Sequence, residues 1–200
     1  MTPDVGSLAP TGIAIFAFRQ GGVVVSEAGV PSTSIGNGFR MYAEADQNVR
    51  SGVAVQNTHD DAAHVTFELT KLDGTALGLE GSLDIPAFGQ RSIFLDEIPG
   101  FETLPQPFEG ILRISSPNEA GISVLGVRGT INERSDFLIT TTPATDENAL
   151  ATKQAGFPHF VDGGGYTTRF ITFSGTPGQP SSGTLQLFSQ KGGVLGLSLQ

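Results

Sequence analysis

Apolar and polar residues alternate with a period of two along much of the chain, as in Val53/Val55, Val65/Phe67/Leu69, Ile93/Leu95, and Ile111/Arg113 facing away from Leu112/Ile114. Successive side chains of a pleated strand point to opposite faces, so this spacing predicts short strands with one buried face each. Between about Gly38 and Thr145 it predicts strands near 39–45, 50–57, 63–71, 76–85, 90–95, 109–115, 121–128 and 135–141. Asp73-Gly74, set between Leu72 and Leu77, signals a hairpin, because glycine readily takes the positive φ of a tight turn. Ahead of this block, apolar Ile13 to Phe18 turns at Gln20-Gly21-Gly22 into Val23-Val24-Val25, a second hairpin. Behind it, strands are expected near 157–161, 167–174, 183–190 and 193–199. Residues 30–37 and 142–148 read as linkers. The irregular stretch 96–108 reads as a crossover over one end of the fold, with one helical turn at 95–98.

The pattern repeats itself out of phase. Gly12-Ile13-Ala14-Ile15-Phe16-Ala17-Phe18-Arg19 returns as Gly121-Ile122-Ser123-Val124-Leu125-Gly126-Val127-Arg128, an offset of 109 residues. Gly38-Phe39 returns as Gly156-Phe157, and Leu69, Gly74, Leu77, Gly78 and Leu79 return as Leu187, Gly192, Leu195, Gly196 and Leu197, all at an offset of 118. Two blocks recurring in the same order are the mark of an array built from one unit, here roughly 115 residues, about the size of a single sandwich domain.

Composition narrows the class. Gly 27 and Pro 12 against Trp 0 and Met 2 favour many short strands joined by turns, hence an all-β chain. The formal charge of −9 opposes a phosphate backbone, and no Lys/Arg cluster is present for anionic lipid. Nucleic acid is therefore not an expected partner. The absence of cysteine removes disulfides, thiolate nucleophiles and cysteine metal sites together. Residues 1–20 lack the basic segment and cleavage site of a signal peptide, and no apolar run is long enough for a membrane helix.

The segments 157–168 and 183–190, together with Phe94–Glu97 through Phe101, Phe108–Leu112 and Ile122–Arg128, resemble tandem β-sandwich (Ig-like) repeats of large secreted or surface-attached bacterial proteins, mostly uncharacterised and non-enzymatic. The resemblance implies an extracellular or cell-surface location and a sandwich architecture. It carries no catalytic residues to this chain.

Candidate chemistry is sparse. His59-Asp60-Asp61 with His64 is the densest polar cluster and offers metal-ligand types, although such a cluster is more commonly a solvated hairpin loop. Asp162 before Gly163-Gly164-Gly165 offers a single carboxylate, too few for a calcium loop, and reads as a backbone turn. No Gly-x-Ser-x-Gly elbow is present, the only histidines are His59, His64 and His159, and carboxylates such as Glu97 and Glu102 are chance candidates among twenty acidic residues. Without Trp, and with only Tyr42 and Tyr166, few aromatic platforms remain for sugars.

The resulting expectation is an all-β, Ig-like antiparallel β-sandwich, one complete unit (38–148) flanked by two partial ones: late strands plus a linker at 1–37, and a linker plus early strands at 149–200. The functional expectation is a non-enzymatic extracellular structural protein that assembles head to tail into a filament or array by strand complementation. The interface would use Ile13, Ile15, Phe16, Phe18, Val23, Val25, Leu185, Leu187, Leu195 and Leu197. A glycan-binding or adhesive module, with loops 57–63 and 96–108 as its surface, is the rival. No cofactor or metal is expected, and completion within one chain or between chains stays open.

Overall fold

The computed structural model describes residues 4–8, 11–117, 121–149, 154–176 and 178–196. The alternating stretches become strands in chain order: β1 (Ile13–Gln20), β2 (Val23–Pro31), β3 (Ile35–Gly36), β4 (Gly38–Ala45), β5 (Val49–Asn57), β6 (Ala63–Lys71), β7 (Ala76–Ile85) and β8 (Gln90–Phe94). After a 3-10 turn at Leu95–Glu97 come β9 (Phe108–Ser115), β10 (Ile122–Ile131), β11 (Phe137–Thr142), β12 (Thr145–Asp146), β13 (Leu187–Phe188) and β14 (Val194–Leu195). The fold is all-β, and the strand pairings are antiparallel.

Pairing in the large sheet follows two runs. In one, β5 lies between β8 and β10, and the far edge of β10 is shared by β3 and β11. In the other the order is β12-β4-β9-β6-β7. The runs are joined through β4 and β5 at one residue pair, Ala45 with Arg50, beside the turn between them. Phe39 and Met41 of β4, Phe67 and Leu69 of β6, and Leu112 and Ile114 of β9 form one buried cluster with Val53 and Val55 of β5 and Ile122 and Val124 of β10. A sheet that turns over at one corner and encloses a core drawn from both runs is consistent with a β-sandwich. Burying each of these large side chains contributes roughly 1.5–3 kcal/mol.

The crossover 96–108 is part of that core. Ile98 and Phe101 are buried, and the chain lies so close to β7 that a Cβ on Gly81 would fall 2.6 Å from Ile98 Cγ2 and 2.7 Å from the Pro99 carbonyl. Only glycine lets the two backbones approach that far. At the other end of the unit, Asn57 is fully buried: its Nδ2 donates to the carbonyls of Asp61 (2.7 Å), Pro86 (3.0 Å) and Ile85 (3.2 Å), and its Oδ1 accepts from the His59 N–H (3.0 Å).

The leading hairpin β1–β2 sits beside β11 through side chains instead of a backbone ladder. Ser26 Oγ donates to the Ile139 carbonyl and accepts from the Ile139 N–H, while Thr141 Oγ1 donates to the Gly29 carbonyl at 2.6 Å. The linker 30–37 contributes β3, which pairs with the start of β10.

The trailing segment departs from expectation. The stretches 157–161 and 167–174 carry the alternating pattern but form no strands, and in the described parts of 183–190 and 193–199, which end at 196, only the short β13–β14 pair does. Alternation specifies which face a residue prefers. A strand exists only when its N–H and C=O groups meet those of another strand, and among the described residues no strand pairs with 157–161 or 167–174. Replacing Asn57 by Leu leaves four backbone groups near the 57–61 loop without their partner, so the Asn57→Leu variant should lose about 2–4 kcal/mol in urea-induced unfolding.

Candidate assembly interface

β1 is apolar because Ile13, Ile15, Phe16 and Phe18 follow one another with little polar relief, and it pairs on one side only, with β2. Every residue of β1 is exposed, Ile13 at 65% and Ile15 at 64%. Among the described residues its outer edge has no strand partner. Val23 is exposed and Val25 half-buried. Of the trailing residues, Leu187 is half-buried and pairs with exposed Leu195, Leu185 is exposed, and Leu197 lies outside the described residues. Among the described residues neither set pairs with the other.

The β13–β14 turn repeats the backbone hydrogen bonds of the β6–β7 turn. In the first, the Lys71 N–H donates to Thr75 O (2.8 Å) and the Gly74 N–H to Lys71 O (3.0 Å). Shifted by 118 residues, the Ser189 N–H donates to Gly193 O (2.8 Å) and the Gly192 N–H to Ser189 O (2.9 Å). Both central glycines have positive φ, +86° at Gly74 and +80° at Gly192. The closing strand pairs also coincide, Thr70 with Ala76 and Phe188 with Val194.

Between these segments lies a polar centre that the sequence pattern does not announce. Glu44, on the outer face of β4 and 8% exposed, accepts from Arg128 Nε at 2.5 Å and from Arg169 Nη2 at 3.0 Å. Tyr42 Oη donates to Glu44 at 3.0 Å and accepts from Arg169 at 2.6 Å, and Arg169 also reaches Glu109 of β9 at 2.7 Å. Arg40 donates to the carbonyls of Ser174 (2.7 Å) and Thr176 (3.2 Å). These bonds dock the trailing segment on the β4–β9 face. Burial opposes ionisation of Glu44, but hydrogen bonds from Arg128 and Tyr42 and the Arg128 charge outweigh it and hold the carboxyl below its ordinary value. Burial, and then the hydrogen bond to Glu44, push the Tyr42 phenol up.

The remaining candidates are placed apart. His59, Asp60 and Asp61 are exposed, with ligand atoms within 4.8 Å of one another and His59 Nδ1 2.8 Å from Asp60 Oδ1. His64 is not with them: it stands on β6 opposite Asp84 of β7, 2.7 Å away. Asp162 precedes a turn closed by a Gly163–Tyr166 bridge, with φ positive at all three glycines. Glu97 meets Arg50, and Glu102 accepts from the Gly100 N–H, so the two carboxylates serve separate structural bonds.

No protein-family model matches the chain, and no curated protein does. A solved structure described as "Crystal Structure of Thermotoga maritima 1070" is similar over 58% of this chain and 99% of its own, at 11% identity and a TM-score of 0.46, a likeness too low to carry an argument.

Because the folded Glu44 carboxyl titrates below its ordinary value, the unfolded chain takes up the proton first as pH falls. The stabilisation is complete above the ordinary value and is lost as pH drops through the folded one. Glu44→Gln should therefore cost about 1–3 kcal/mol at pH 7, and chemical denaturation across the acid range should show the deficit shrinking below the ordinary glutamate range.

Proposed function

We propose that the protein is a non-catalytic, extracellular β-sandwich structural protein, of the tandem-repeat kind carried by secreted or surface-attached bacterial proteins, and that it assembles head to tail by strand complementation. The observation that carries this reading is the outer edge of β1: eight exposed residues, four of them large and apolar, with no strand on the side away from β2 among the described residues. An edge of that kind is a template for another strand.

Two further features support it. The recurrence of the β6–β7 turn at β13–β14 gives the 118-residue offset a geometric counterpart. The strand-patterned segment 167–174 has no ladder among the described residues, as expected of a strand awaiting its neighbour. Because the two surfaces differ, their contact is heterologous and propagates unless it closes into a ring. The glycan-binding alternative gains nothing from the crossover 96–108, whose Ile98 and Phe101 point into the core.

Sedimentation velocity across a wide range of protein concentration should show mass increasing with concentration. Ile15→Asp should hold the protein as a folded monomer, because a carboxylate in an apolar sheet face costs several kcal/mol. A sharp monomer at every concentration for the unaltered chain would overturn the reading.

A further inference from the structure

The head-to-tail reading leaves open which strand lies beside β1 and in what register; the two offsets and the β5–β10 ladder together define both. In the complete unit, β10 pairs with β5 so that Ile122 faces Asn57, Val124 faces Val55 and Arg128 faces Ser51. β1 corresponds to β10 at an offset of 109, and both open an antiparallel hairpin, β1 with β2 and β10 with β11. β5 corresponds at an offset of 118 to residues 167–175, which make no backbone ladder among the described residues.

We infer that residues 168–175 of one molecule add to the bare edge of β1 of a second copy, antiparallel, with Ile13 opposite Gly175, Ile15 opposite Phe173, Phe16 opposite Thr172, and Gln20 opposite Thr168. This inference rests on the head-to-tail reading and gives it a register. Ile15 and Phe173 take the places of Val124 and Val55, an apolar pair facing the core, and Ile171 takes that of Val53. Arg19 falls opposite Arg169, whose guanidinium is already neutralised by Glu109 and Glu44.

Charge gives an independent indication. In the complete unit Arg128 of β10 is paired with Glu44 of β4. The same offsets carry Arg128 onto Arg19 and Glu44 onto Asp162, which conserves the signs of the pair. Within the molecule neither Arg19 nor Asp162 makes an ion pair among the described residues. Between two copies in this register they become partners, and the bland Asp-Gly-Gly-Gly turn acquires an occupant for its carboxylate.

The native chain has no cysteine, so introduced thiols report contacts without background. Ile15→Cys mixed with Phe173→Cys, or Phe16→Cys with Thr172→Cys, should give 15–173 or 16–172 disulfides on mild oxidation, identified by peptide mass spectrometry. Ile15→Cys mixed with Thr172→Cys should link several-fold less, because a one-residue slip turns the thiol to the opposite face. Arg19→Asp and Asp162→Arg should each weaken assembly roughly tenfold, and the chain carrying both should recover it. Both positions are exposed, so each variant should fold, and circular dichroism of each is the check. Concentration-dependent assembly with links at other positions, or without recovery in the double variant, would overturn this register and leave the head-to-tail reading standing. Absence of assembly in the unaltered chain would overturn both.

Discussion

A strand hydrogen-bonded on one side only presents a row of N–H and C=O groups that water or another strand must satisfy, and the organisation of this protein follows from where that requirement is met. β5 and β10 meet it on both edges, β5 between β10 and β8, and β10 between β5 and the β3 and β11 segments. β4, β9 and β6 meet it likewise in the second run. The core forms where these doubly paired strands carry their apolar faces. β1 has comparable apolar content but one ladder, so its side chains stay in water.

This contrast also divides what could be read from the chain. Period-two alternation located β5, β6 and β9 within a residue or two, and Asp73-Gly74 located the β6–β7 turn, because both signals are local. The same alternation at 167–174 misled, since it reports a face and not a partner. The two-residue strands β3 and β12 were invisible, as ladders that short owe their existence to the edges of β10 and β4 and not to their own residues. Of the ten interface residues, Ile13, Ile15, Phe16 and Phe18 are exposed on a strand that pairs with β2 alone among the described residues. Leu187 and Leu195 instead face each other across their own hairpin.

The polar centre on Glu44 was beyond reach for another reason. Its guanidinium partners lie 84 and 125 residues further along the chain, and no spacing rule connects a glutamate on one strand to arginines so distant. A nearly buried carboxylate is costly unless its oxygens are bonded, and here Tyr42, Arg128 and Arg169 occupy them. The docking of the trailing segment and the seating of β10 against β4 thereby share one acceptor group. That makes the outer face of β4 the junction through which the successive segments of the chain are held together.

Asn57 has a consequence at the opposite end of the unit. It grips the 57–61 loop from within by main-chain atoms alone, the N–H of His59 and the carbonyl of Asp61, so the side chains of His59, Asp60 and Asp61 are not needed to shape it. The loop is thus a ready position for grafting a foreign epitope or affinity tag: its outward residues can be rewritten while the anchor beneath them stays in place.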